Sequence, residues 1–222
     1  MNKIGNYRWR ILSLLFFATT INYIDRQIIG ILKPFISEDL GWSEADYGYI
    51  VTAFQVAYAI GLLTTGRLID RFGTRIGYVW SVIVWSIAAV AHAAARGVVS
   101  FAAARFFLGF GESGNFPSAI KATAEWFPVK ERALASGLFN SGSTIGAIIA
   151  PVIVSGITIA FGWKWAFIIT GILGFIWIFF WLASYRIPQQ HAKVKPEELQ
   201  YIMQDTDTSA KVEKSIDRKS VV

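Results

Sequence analysis

Six apolar stretches constrain what this 222-residue chain can fold into more than any other feature. Each is near the ~20 residues that a bilayer's hydrocarbon core requires. They run at about 9–32, 47–69, 76–95, 101–120, 134–157 and 165–185. In lipid every backbone N–H and C=O must be satisfied internally, so stretches of this length predict helices. Composition agrees: 54% of the residues are hydrophobic and 16% charged, against roughly 25% charged in soluble domains. The expected fold is an all-α membrane protein, with six transmembrane helices in residues 1–185 and a polar segment over 186–222. Within that segment, 196–203 has the pattern of a short amphipathic helix. Cysteine is absent, which excludes disulfides and thiolate metal sites.

Four charges lie inside these stretches: Asp25 and Arg26 in the first, Arg105 and Glu112 in the fourth. A charge at mid-membrane costs roughly 2.5–3.5 kcal/mol on insertion scales. Two of each sign imply a compensating arrangement and, by default, a path for an ion or a charged solute. Arg105 and Glu112 are seven apart, two turns along one helical face, and Asn115 follows three later on that face. Asn22 and Arg26 also share a face, whereas Asp25 points about 100° away from Arg26. One arrangement sets Asp25 opposite Arg105 and leaves Arg26 to line a cavity. The alternative is an ion-pair network that merely neutralises itself and glues helices together. Gln55 and Tyr58, three apart, and Asn140 with Ser143 could bond solute hydroxyls or a neighbouring helix. His92 reads as interfacial, and Trp163, Trp165 and Trp181 read as interface anchors or lipid-facing bulk.

The net charge of +6 does not point to nucleic acid, because the basic residues cluster at the ends of the apolar stretches. Lys3, Arg8 and Arg10; Arg67, Arg71 and Arg75; Lys121, Lys130 and Arg132; and Arg186, Lys193 and Lys195 all fall on one side if the N-terminus is cytosolic. The other side holds Lys33, Arg96 and Lys164. That bias predicts both termini inside. The basic start and the run 11–18 fit a signal peptide, but Asn22, Asp25 and Arg26 follow with no small-residue cleavage site.

Two motifs add detail. Between the second and third stretches lies Gly66-Arg67-Leu68-Ile69-Asp70-Arg71-Phe72-Gly73-Thr74-Arg75. Gly66 allows close helix approach and Gly73 permits a turn with positive φ, while Asp70 can accept bonds from an arginine or a helix N-terminus. The fifth stretch carries Gly142, Gly146, Ala150 and Pro151, a small-residue stripe at a spacing of four that lets helices close up. The loop resembles the signature loop between helices 2 and 3 of the major facilitator superfamily. The stripe resembles that superfamily's glycine-and-proline motif on helix 5, with Ala150 where glycine is common. Asn22-Tyr23-Ile24-Asp25-Arg26, the run from Arg105 through Gly109, Glu112 and Asn115 to Pro117, and Glu125-Trp126-Phe127-Pro128 with Glu131-Arg132 resemble the anion:cation symporter branch. Together with Phe139-Asn140-Ser141-Gly142-Ser143, the likeness is to bacterial hexuronate transporters, over roughly residues 7–188.

The resemblance implies the N-terminal bundle of a proton-coupled organic-anion importer in the bacterial inner membrane. Arg26 and Arg105 would hold a substrate carboxylate, with Tyr23, Gln55, Tyr58, Asn115 and Asn140 as further contacts. Asp25 and Glu112 would carry protons. Gly66, Asp70, Arg71, Gly73, Arg75, Gly142, Gly146 and Pro151 would serve gating and structure. Aldonates, aldarates and sialic-acid-like sugars are the alternative substrates. No cofactor, metal or ATP is expected, because metal-ligand clusters and phosphate-binding glycine loops are missing from the sequence.

The superfamily has two six-helix halves, so a second half is expected in cis or in trans. Residues 217–222 back-translate to a common library adapter, which suggests a truncated reading frame. An intramembrane protease is the rival from enzyme chemistry, on Gly111-Glu112-Ser113-Gly114. It would need a histidine to activate the serine, and the two histidines, His92 and His191, lie outside the sixth stretch. A sensor or scaffold that kept the fold but lost transport is the other.

Overall fold

The computed structural model describes residues 5–205; the adapter-like stretch 217–222 lies outside them. Six α-helices follow one another: α1 (Tyr7–Leu40), α2 (Glu44–Ala91), α3 (Val98–Glu112), α4 (Asn115–Trp126), α5 (Val129–Phe161) and α6 (Trp163–Ser184), with a 3-10 turn at His92–Ala94. A further helical segment occupies 196–205.

The expected stretches map onto these helices with two differences. The second and third form the two arms of α2, parted at Gly73, whose φ of 77° lies where side chains other than glycine are strained. The fourth is not one helix: it breaks at Ser113-Gly114 into α3 and α4. Among the described residues three segments are long and apolar enough by length and composition alone to cross a membrane, Glu44–Ala94, Val129–Phe161 and Trp163–Ser184. The first of these holds two spans. The first and fourth spans fall short on that measure for a physical reason: mid-length they carry Asp25 and Arg26, or Arg105 and Glu112 with the break just after. These charged groups are turned into the bundle, with Asp25, Arg105 and Glu112 buried against other helices and Arg26 three-quarters covered.

Two apolar clusters cap the bundle at opposite ends. One, at the end that carries the N-terminus, gathers Ile11, Leu15, Tyr78, Trp85, Trp126 and Trp181. The other gathers Ile28, Leu32, Trp42, Phe101, Trp163 and Phe167. A polar layer lies between them on α1, α3 and α6. On α1 it runs from Thr19 to Asp25, on α3 Arg105 falls between Phe101 and Leu108, and on α6 Thr170 falls between Phe167 and Trp177. Large apolar side chains such as Leu63, Val99, Ile159 and Phe179 are left on the outside, as a lipid-facing surface requires.

The tryptophan expectation needs correction. Trp165 is exposed, but Trp181 is fully buried and Trp163 nearly so. Trp181 stacks on Trp177 and Tyr185 and donates from Nε1 to the Arg75 carbonyl at 3.1 Å. Size alone suggested lipid-facing bulk; in the fold these rings fill the wide gaps between helices and bond a partner.

The glycine motifs act by proximity. A Cβ on Gly142 would sit 2.6 Å from the Phe16 carbonyl oxygen, and one on Gly146 2.6 Å from that of Thr20. α5 therefore lies directly on the α1 backbone. Pro151 is on the exposed side of α5. In the loop within α2, Asp70 accepts from Lys121 Nζ at 2.6 Å, and Arg75 Nη2 donates to the Leu182 carbonyl at 2.7 Å. Thr74 donates to Glu125 at 2.7 Å, and Glu125 also accepts from Tyr185. Gly66, expected to allow close helix approach, instead has open space around it within this chain, and Arg71 is exposed.

Residues 186–205 are folded back onto the bundle rather than trailing from it. Glu198 and Ile202 are buried, Arg8 bonds both Glu131 and Glu198, and Tyr201 donates to Glu131 at 2.6 Å.

Candidate functional site

At the mid-depth polar layer, α1, α2 and α3 enclose a cavity of about 130 Å³, lined by Arg26, Gln27, Gly30, Tyr47, Phe54, Gln55 and Arg105 among others. Arg26 dominates its wall. Its Nε and Nη2 both donate to Glu112 Oε2, at 3.1 and 3.0 Å. The Glu112 side chain is fully buried, whereas that of Arg26 keeps a quarter of its surface open. The guanidinium also lies against three rings, 4.5 Å from the centroid of Tyr58, 4.9 Å from Tyr23 and 5.2 Å from Phe54. Cation–π contact and a charge-assisted bond hold the same group in one orientation.

Arg105 also lines the cavity. It is buried, its guanidinium lies 5.8 Å from the opposite neighbour of Arg26, the Phe54 ring, and its Nε and Nη2 have no hydrogen-bond partner among the described residues. Two cationic heads thus flank one aromatic ring at the cavity. This is a chemistry suited to an anion: planar donors for a carboxylate, with a ring edge or face for an apolar side of the solute.

Asp25 is buried behind this wall, and neither carboxylate oxygen has a hydrogen-bond partner among the described residues. Arg105, Glu112 and Thr170 are the groups that act on it. It forms no ion pair with Arg105 within 4.0 Å among the described residues. The one direct pair in the polar layer is Arg26–Glu112, across from α1 to α3, a pairing the spacing of the residues did not suggest. The 100° offset between Asp25 and Arg26 does hold, one side chain facing the interior and the other the cavity.

The structure brings Tyr23, Arg26, Tyr58 and Glu112 into contact, with Gln55 and Arg105 beside them. It does not bring Asn115 or Asn140 to this cavity. Asn115 is buried, accepting from Tyr78 and donating to Thr19 at 3.3 Å, a three-helix cross-link. Asn140 is exposed on α5. Phe54 and Tyr47 escaped the sequence reading because aromatic residues in an apolar stretch look like core. The usable signal for Phe54 was its spacing of four from Tyr58. His92, read as interfacial, is fully buried. It sits in the 3-10 turn with its ring stacked on Phe167 at 4.8 Å, so the turn folds inward rather than onto the surface.

Known proteins with a similar sequence and shape bear on this site. The chain is 36% identical over 212 residues to a "Hexuronate transporter" of Escherichia coli (strain K12), covering 96% of this chain and 49% of that protein. It is 36% identical over 203 residues to a "Galacturonate transporter" of Dickeya chrysanthemi, covering 91% of this chain and 59% of that protein. The chain therefore spans about half the length of the curated relatives it matches. Among solved structures it is similar to a bacterial homolog of the human lysosomal transporter Spinster, in an inward-facing and occupied conformation. That likeness has a TM-score of 0.76 and 25% identity, and covers 84% of this chain and 46% of the other. The family model described as Major Facilitator Superfamily matches residues 15–219. This chain belongs to the Major Facilitator Superfamily.

Proposed function

We propose that this chain is the N-terminal half of a proton-coupled importer for a sugar-acid anion, a hexuronate such as glucuronate or galacturonate. It acts in the bacterial inner membrane with both termini in the cytosol, a second six-helix half closing the cavity. The observation that carries the reading is the Arg26–Glu112 pair at the cavity wall: a buried acid occupying the donors that a substrate carboxylate would need. The names of the relatives support the substrate class.

The mechanism is competition for Arg26. While Glu112 is ionised, it holds Nε and Nη2 of Arg26. A proton on Glu112 removes the negative charge from the wall and weakens that bond, so Arg26 can turn its paired donors to the incoming carboxylate. Arg105 adds the second positive charge, and Tyr23 and Tyr58 keep Arg26 in place while Gln55 offers an amide to sugar hydroxyls. Asn115 and Asn140 would contribute only after movement of α4 and α5 or closure by the second half. Loss of the proton on the cytosolic side returns Glu112 to Arg26 and expels the anion. Asp25 carries the other proton. Alternating access then rocks one bundle against the other around the fixed site.

The test is Glu112→Gln, reconstituted in liposomes with the second half supplied. Uptake of radiolabelled glucuronate driven by an inward proton gradient should be lost while exchange of internal for external substrate persists. Gradient-driven accumulation that survives in the variant would sink the assignment.

A further inference from the structure

Asp25 and Glu112 share a layer but not an environment. Glu112 meets the cavity through Arg26. Asp25 faces the interior between α1, α3 and α6, where Thr170 and Arg105 act on it. Following that interior toward the end of the bundle opposite the N-terminus leads to His92. Its Nδ1 lies 2.7 Å from the Ala88 carbonyl oxygen, which can only accept, so Nδ1 carries the hydrogen and Nε2 carries the lone pair. That Nε2 is fully buried and has no hydrogen-bond partner among the described residues.

The surroundings connect the two groups. The His92 ring stacks on Phe167 of α6, and Thr170 lies one turn further along the same helix with its hydroxyl donating to the Phe167 carbonyl at 3.4 Å. On α3, Phe101 meets the edge of the His92 ring, and Arg105 is one turn further on. The charged group that faces His92 is Arg105 from α3. α1 contributes Asp25, reached past Thr170. The one charged residue of α6, Lys164, is at the His92 end of that helix, one turn before Phe167, with its ammonium over the Trp163 ring. Five buried polar atoms without partners among the described residues therefore belong to one region: both Asp25 oxygens, Arg105 Nε and Nη2, and His92 Nε2. Buried polar groups are satisfied by protein or by water, and this set has donors and acceptors that water can bridge.

We propose that His92 is the proton relay to Asp25, giving that acid an entry route separate from the substrate cavity. When the Phe101 and Phe167 rings that cover His92 part to admit water, that water gives a proton to the Nε2 lone pair, leaving hydroxide to the solvent and a cationic imidazolium. The Nε2–H bond then breaks as an Asp25 O–H bond forms through a bridging water, which receives one proton and releases another. The imidazole returns to its neutral form with Nδ1–H unchanged. The inference rests on the coupled-transport reading only for Asp25's role in transport; the relay geometry stands without any particular substrate.

Because the chain holds two histidines, His191→Gln leaves His92 as the one imidazole signal. The 222-residue chain with that substitution, ¹⁵N-labelled at histidine and placed in lipid nanodiscs, is titrated by NMR with and without Asp25→Asn. The expected result is an Nδ1–H tautomer whose Nε2 exchanges protons with water, and a titration midpoint moved by about half a pH unit or more in Asp25→Asn. A His92 resonance that neither exchanges nor responds to Asp25→Asn overturns the relay. A second measurement, in liposomes with the other half supplied, compares His92→Gln with the parent. Proton-driven accumulation should fall about tenfold with exchange retained. Equal loss of both, or no loss of either, counts against the relay, while absence of hexuronate uptake by the parent protein would indict only the substrate assignment.

Discussion

At the scale of residues, the informative contrast is between two arginines in one layer. Arg26 is held by one carboxylate oxygen and three rings, while Arg105 is buried with donors to spare. Arg26→Lys keeps the charge but removes the planar pair of donors that meets Glu112, and a lysine is not interchangeable at such a site. It should weaken binding of glucuronate by roughly tenfold or more, about 1.4 kcal/mol, measured by calorimetry on the protein with both halves present. Tyr58→Phe keeps the ring under Arg26 and should change binding far less than Tyr58→Ala. Equal losses would show that the hydroxyl, not the ring, is what matters. The presence of the charges in apolar stretches was readable from sequence, as was the divergence of Asp25 and Arg26. Their partners were not, because spacing fixes only which residues share a face of their own helix, and Arg26–Glu112 depends on how α1 and α3 rotate against each other.

At the scale of elements, close approach of α5 to α1 and the start of α2 each make a prediction. Gly146→Ala places a methyl 2.6 Å from the Thr20 carbonyl oxygen, against backbone that cannot swing aside. Overpacking of this kind costs about 1–3 kcal/mol, so the melting temperature in detergent should fall; Gly137→Ala, at an open position of the same helix, is the control. At the start of α2, Ser43 and Asp46 form a reciprocal capping box. Bonds from the Ser43 hydroxyl and backbone N–H hold the exposed Asp46 carboxyl below its ordinary value. With the folded value depressed, the cap's contribution is present above the ordinary carboxylate range and lost as pH falls through the lowered value. Local opening at the first turn of α2, read as amide exchange divided by its intrinsic rate at each pH, should therefore stay flat from neutral pH to about pH 5 and rise only near or below pH 4. A rise already complete at pH 6 would contradict the cap.

At the scale of the whole molecule, the segment after α6 ties the bundle's N-terminal end together. Arg8 on α1 sits between Glu131 on α5 and the buried Glu198, with its guanidinium 5.0 Å from the Tyr201 ring. Removing one member of a buried charge set strands the others, a loss that reaches about 3–5 kcal/mol in buried pairs. Glu198→Ala should release residues 186–205 from the bundle and expose them to protease. Limited proteolysis with mass mapping reads this directly, and an unchanged cleavage pattern would mean that the remaining contacts, among them Ile202 and the Tyr201–Glu131 bond, hold the segment without the charge set. The sequence marked 196–203 as a short amphipathic helix but did not say what its apolar face meets. Its docking required α1, α5 and α6 to end at one level, which no local pattern encodes.

What the sequence by itself determined was the class of fold, the helical stretches and the depth of the charges, since length, hydropathy and spacing are local properties that lipid reads one helix at a time. The tertiary structure alone decided that Glu112 rather than Asp25 meets an arginine directly, that Asn115 is a cross-link, and that His92 and most of the tryptophans point inward. Those outcomes follow from how the helices rotate and pack. Rotation is set by many weak contacts at once, such as the glycine stripe of α5 on the α1 backbone and the two apolar clusters above and below the polar layer.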